Sequence, residues 1–119
     1  MILYNLSYDV KDYKNDFENY EEAKRYLHCV IGATGYQKIA SPTQSTLIIS
    51  YSVFESEKLF TFLEKNLSKY FFYSISLVAV DEDNEPFMIG IENPELVENF
   101  KNIIKKIDCS NLSKPITEY

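Results

Sequence analysis

The chain has no tryptophan, one histidine, two cysteines, three glycines and four prolines among 119 residues. So little glycine and proline excludes a low-complexity or collagen-like chain. Two cysteines 80 positions apart do not form the dense framework of a small secreted domain, and they read as free thiols in a reducing cytosol. Basic residues are also scarce, at 12 Lys+Arg against 18 Asp+Glu, for a net charge of −6. Nucleic-acid binding driven by general phosphate neutralisation needs clustered Lys and Arg, so the chain as a whole is poorly suited to it. No apolar run approaches the roughly 20 residues of a membrane helix. Met1 leads directly into Ile-Leu-Tyr-Asn-Leu without a basic leader region, as expected of a cytoplasmic protein without a membrane anchor.

What is abundant is aromatic and aliphatic bulk. Ten tyrosines and eight phenylalanines lie in a chain that is 45% hydrophobic and 25% charged. That suffices for one core, and the length allows only one. The charge is uneven: residues 23–80 carry a net +3, whereas 81–98 carry −7.

Residues 2–10 alternate, with Ile2, Tyr4, Leu6, Tyr8 and Val10 on one side and Leu3, Asn5, Ser7 and Asp9 on the other. This predicts a strand. Asn19 with Glu22 three residues on has the pattern of a capping box, opening a helix that Gly32 ends. Tyr36–Ala40 and Ser45–Tyr51 read as two strands joined by a turn at Ser-Pro-Thr-Gln (41–44). Ser52 or Ser56 is expected to cap a helix carrying Leu59, Phe60, Leu63 and Leu67. Phe71–Val80 has too few polar breaks for a surface element and reads as a buried central strand.

The order β-α-β-β-α-β predicts an α+β, ferredoxin-like domain, with two helices on one face of an antiparallel sheet. An acidic connection, a fifth strand over Phe87–Ile91 and a helix opened by Asn93-Pro94 extend it. One domain over residues 1–109 and a frayed tail over 110–119 are expected.

Asp9 is the one residue with sharp chemical potential, because a carboxylate near the end of a strand can bind a divalent cation. The run Tyr4-Asn5-Leu6-Ser7-Tyr8-Asp9-Val10, followed by helix, hairpin and helix, resembles the start of the small CRISPR-adaptation protein family. It also resembles the relatives of that family, the virulence-associated protein D toxins and the SinR-like proteins. The resemblance covers about residues 1–80. It implies a homodimer in which the strand-end Asp of each copy holds Mg²⁺ or Mn²⁺ across the two-fold axis, for cleavage of RNA or DNA. Two-fold symmetry doubles a single carboxylate at no cost in sequence. In that reading Asp9 is both catalytic residue and metal ligand, and Lys11, Arg25 and Lys38 steady phosphates.

The competing reading is a non-catalytic adaptor or phosphate-mimicking inhibitor. Here Asp81, Glu82, Asp83 and Glu85 face a basic, nucleic-acid-processing protein. The acidic run is not a calcium loop, because Pro86 occupies the position that requires glycine. His28 and Cys29 are helix neighbours pointing about 100° apart, which disfavours a Cys–His catalytic pair. Tyr70, Phe71, Phe72 and Tyr73 are expected in the core or at a dimer contact, with base stacking as the other use of such rings.

Overall fold

The computed structural model describes residues 1–80 and 94–119. Strand β1 spans Ile2–Val10, helix α1 Tyr13–Asp16 and helix α2 Tyr20–Gly32. Strands β2 (Lys38–Thr43) and β3 (Thr46–Tyr51) form a hairpin. Helix α3 (Ser56–Leu67), strand β4 (Phe71–Val80) and helix α4 (Pro94–Lys106) follow. The sheet runs β2-β3-β1-β4 with every neighbouring pair antiparallel, so the chain is of the α+β class.

The alternation of β1 has a direct physical outcome. Tyr4, Leu6 and Tyr8 are buried against α2 and α3 together with Leu47, Ile49 and Tyr51 of β3. Helix α2 contributes Ala23, Tyr26, Leu27, Val30 and Ile31, and α3 contributes Leu59, Phe62, Leu63 and Leu67. Asn19 caps α2 as expected, its Oδ1 accepting from the Glu22 N–H at 2.9 Å. The Glu22 carboxylate does not return to complete the box; it pairs with Arg25 at 2.8 Å. Gly35, at φ +72°, makes the turn out of α2 that a side chain would strain.

Several expectations are corrected. Neither serine caps α3: Glu55 stands at the cap position without a side-chain bond, and the Ser56 hydroxyl is hydrogen-bonded to the Tyr4 hydroxyl. The hairpin turn falls at Gln44-Ser45, and Pro42 lies inside β2. A proline is tolerated there because β2 ends the sheet, and the β2–β3 register is irregular between Ala40 and Thr43. The acidic stretch before α2 contains α1, where Asp12 accepts from the Asn15 backbone and amide. Phe17 follows it into the core. Among the described residues strand β4 is not central: it pairs along its length with β1 alone, at the opposite end of the described sheet from β2. Its uninterrupted apolar character reflects Phe71 facing the core while Phe72, Leu77 and Val78 stay exposed.

Helix α4 packs against β2 and α2, setting Phe100 edge-on to His28 at 5.8 Å. The tail, expected to fray, lies across α2 and α3. Asn66 donates from Nδ2 to Thr117 Oγ1 at 2.8 Å, and its Oδ1 accepts from the Thr117 N–H at 3.0 Å. The Tyr26 hydroxyl approaches the carbonyls of Asn66 and Pro115, and Tyr119 packs edge-on to Phe62.

The thiols also differ from expectation: Cys29 and Cys109 form a disulfide, with Cα atoms 5.7 Å apart. The reducing-cytosol reading that rested on two free thiols therefore loses that support. The expected fifth strand Phe87–Ile91, and Asp81, Glu82, Asp83 and Glu85, lie outside the described residues.

Candidate functional site at the end of the first strand

Because Tyr8 turns into the core, strand geometry turns Asp9 to the other face of the sheet, where it is exposed. The same face carries Ser7 from β1, Thr46 from β3, and Phe72 and Ser74 from β4. Asp9 stands opposite Phe72, and Ser7 stands between Thr46 and Ser74. These residues, with Ser45 and Tyr73, line an open hollow of about 370 Å³. It is rich in hydroxyls, and Ser7 Oγ lies 3.4 Å from Thr46 Oγ1. On the core side of the sheet, the Tyr8 hydroxyl donates to the Gln44 carbonyl at 3.1 Å. Burial pushes its pKa well above the ordinary phenol range, with Tyr20 adding to the shift, so this phenol stays protonated and donates.

Phe72 is 64% exposed, an unusual position for a large ring. The Lys11 ammonium sits 5.1 Å from its centroid and donates to the Ser68 carbonyl at 2.8 Å. Cation and ring thus share the Asp9 end of the sheet. Of the aromatic run, Phe71 is core, whereas Phe72 offers its face to solvent.

The other two basic residues do not join this group. Lys38 is level with Ser50 and Leu3, six residues along β1 from Asp9, which places it roughly 20 Å away. Arg25 is on α2, on the helix side of the sheet, and is fully engaged. It bonds Glu22 through Nε and Nη2 at 3.0 and 2.8 Å, and the Asp108 and Ser110 carbonyls through Nη1. Ser7, Thr46 and Ser74 were not singled out by motif. The signal available for one of them was the alternation itself, since Ser7 and Asp9 are two apart and share a face.

The donor set suits a hard cation, with one carboxylate and several neutral oxygens. One carboxylate falls short of a Mg²⁺ site, however. No group of three or more His, Cys, Asp or Glu side chains suited to a metal occurs among the described residues. The residues fit a cation only as half of a site completed by a second copy.

His28 stands apart, on the helix side. It is only 8% exposed, and its Nε2 is buried without a hydrogen-bond partner. Burial, with the Lys24 charge adding, lowers its pKa to about 4. Stability from this neutral imidazole is fully present above pH 6.5, because neither folded nor unfolded chain is then protonated there. It is lost as the pH falls from 6.5 to about 4, where the unfolded chain takes up a proton that the folded one refuses. About 3 kcal/mol is at stake over that window. Urea midpoints measured from pH 7.5 to 4 are expected to fall for the wild type and to fall clearly less for His28→Phe. Parallel curves would rule out the histidine as the cause.

No family model, no curated protein and no solved structure matches the chain. No helix among the described residues is long and apolar enough to cross a membrane.

Proposed function

We propose that this protein is a ferredoxin-like homodimer that cleaves RNA or DNA phosphodiesters in a divalent-cation-dependent reaction, with Asp9 as the metal ligand in each copy. The observation that carries the reading is the setting of Asp9. It is exposed near the end of an internal strand, at the edge of an open hydroxyl-lined hollow, with an exposed ring and a lysine alongside. The strand order β2-β3-β1-β4 with helices between the strands supports the ferredoxin-like assignment, and so does the resemblance of residues 1–80 to the CRISPR-adaptation and virulence-protein-D families.

In this mechanism the Asp9 carboxylates of two copies would hold one Mg²⁺ or Mn²⁺. When bound, the cation supplies charge neutralisation and an acidified water. Lys11 attracts the phosphate, and the face of Phe72 stacks a base, a contact tolerant of sequence. The Tyr8 hydroxyl, on the core side of the sheet, takes no part. Lys38 and Arg25 have no part in the hollow. The Cys29–Cys109 disulfide favours an oxidising compartment for this chemistry, against the cytoplasmic expectation.

The test is incubation of end-labelled RNA and DNA with Mg²⁺ or Mn²⁺, alongside sedimentation to establish the number of copies. The wild type should cleave as a dimer, and Asp9→Asn should fall to the buffer background while keeping its circular dichroism. Cleavage that survives Asp9→Asn would remove Asp9 from the reaction, and none by the wild type would leave the non-catalytic, acidic-adaptor reading.

A further inference from the structure

Three lysines from distant parts of the chain meet at the turn between α3 and β4, at the Asp9 end of the sheet. Lys11 follows β1, Lys69 lies within the turn, and Lys114 belongs to the tail. The Lys11 N–H donates to the Tyr70 carbonyl at 2.9 Å, and its ammonium donates to the Ser68 carbonyl at 2.8 Å. Lys69 and Lys114 both approach the Tyr70 ring, their ammonium nitrogens 5.6 and 5.4 Å from its centroid. Phe17 and Tyr26 meet that ring edge-on and hold it in place.

Gathering three cations is unfavourable unless an opposite charge joins them. Among the described residues the ion pairs are Arg25 with Glu22 and Lys58 with Glu55, so no described carboxylate pairs with any of the three. The neighbouring acid Asp12 is turned to Asn15, accepting from its backbone and its amide. The carbonyl end of α3 accounts for Lys11, which bonds Ser68, because that end is the negative pole of the helix. Lys69 and Lys114 meet only the Tyr70 ring among the described residues. In a chain of net charge −6, such a patch is a local reversal of sign. Lys114 reaches it because the tail is docked, with Thr117 bonded to Asn66 and the Pro115 carbonyl accepting from Tyr26.

Beside the lysines stands Phe72, with the Lys11 ammonium near its ring and most of that ring open to solvent. Cations next to an exposed ring match a strand that alternates phosphates with bases, whereas an acidic peptide supplies only the charge. We infer that the docked tail completes a cationic ridge of Lys11, Lys69 and Lys114 that holds the backbone of a single-stranded nucleic acid leading to the Asp9 hollow. The inference takes its class of ligand from the reading proposed for Asp9, but it requires neither a metal nor cleavage.

Binding of a fluorescein-labelled ten-residue oligothymidylate is followed by anisotropy in EDTA across a salt series. Each phosphate neutralised on a single strand contributes about −0.7 to the slope of log K against log salt, so the wild type should give about −2. Lys69→Gln and Lys114→Gln should each bring the slope to about −1.4, and the double variant to about −0.7. Lys38→Gln, remote from the turn on β2, should leave it unchanged. Phe72→Ala should weaken binding roughly tenfold without changing the slope, as loss of one stacked base predicts. Deca-glutamate, which has charge but no bases, should bind about tenfold more weakly than the oligonucleotide. The inference is overturned if the oligonucleotide does not bind, if the slope ignores both lysine changes, or if the glutamate peptide binds as tightly. Binding with these slopes by a protein that cleaves nothing would sustain the ridge and remove the catalytic role of Asp9. Cleavage with slopes unmoved by Lys69→Gln and Lys114→Gln would do the reverse.

Discussion

Reducing the Cys29–Cys109 disulfide should lower the unfolding free energy by roughly 4 kcal/mol, the chain-entropy value for a closed loop of this length. The two cysteines are 80 residues apart, so the bond joins α2 to the tail and encloses most of the sheet. Without it the unfolded chain gains a large set of extended conformations. The native tail keeps its other anchors, at Asn66, Tyr26, Phe62 and Lys58. The folded structure should therefore persist under reduction while becoming easier to unfold. Urea denaturation with and without a phosphine reductant measures this directly. Cys109→Ser is the better single variant, because Cys109 is exposed whereas Cys29 is buried. Coincident oxidised and reduced curves would mean that the bond does not form in solution.

The second large effect is in the aromatic core. Phe71→Ala is expected to cost roughly 3–5 kcal/mol, the range for deleting a buried ring. Phe71 is 1% exposed and stacks nearly parallel to Tyr26 at 6.3 Å. It also meets Tyr8 edge-on and Phe17 at a tilt. Because these rings come from β1, α2, β4 and the segment after α1, no single element can close the cavity by shifting. Phe72→Ala, one position along and 64% exposed, should change stability by less than about 0.5 kcal/mol. Thermal or chemical denaturation of the two variants separates a core ring from a surface ring. Equal losses would contradict the facing assigned to β4.

Much of the architecture was legible locally. The period of two in residues 2–10 marks β1 because one face is buried from Ile2 to Tyr8 while the other, buried at Leu3, opens to solvent at Ser7 and Asp9. Asn19 announces α2 because its side chain accepts from a backbone donor that the helix leaves free. The misplaced features share a physical cause. Periodicity reports whether a residue is buried, and is silent about which strand lies beside it. Phe71–Val80 was thus read as central, although it ends the described sheet. Pro42 was assigned to a turn, since nothing local reveals that β2 has a side requiring no hydrogen-bond donor. The disulfide and the docked tail depend on contacts more than 50 residues apart, which no local window contains.

For the site, Asp9 was readable from its strand position, and Ser7 from the shared face. Lys11 falls close by because it follows β1 immediately. Arg25 and Lys38 were grouped with it on charge alone. The sheet separates them, since its two faces and its length are set only once the strands are ordered.

The two borders of the described sheet differ in one consequential way. At β2, Pro42 has no N–H to offer and α4 packs alongside. At β4, no described strand lies beyond Phe71–Val80. Main-chain pairing with another copy is therefore disfavoured along β2. That flank is thereby protected from the edge-to-edge growth that builds fibres.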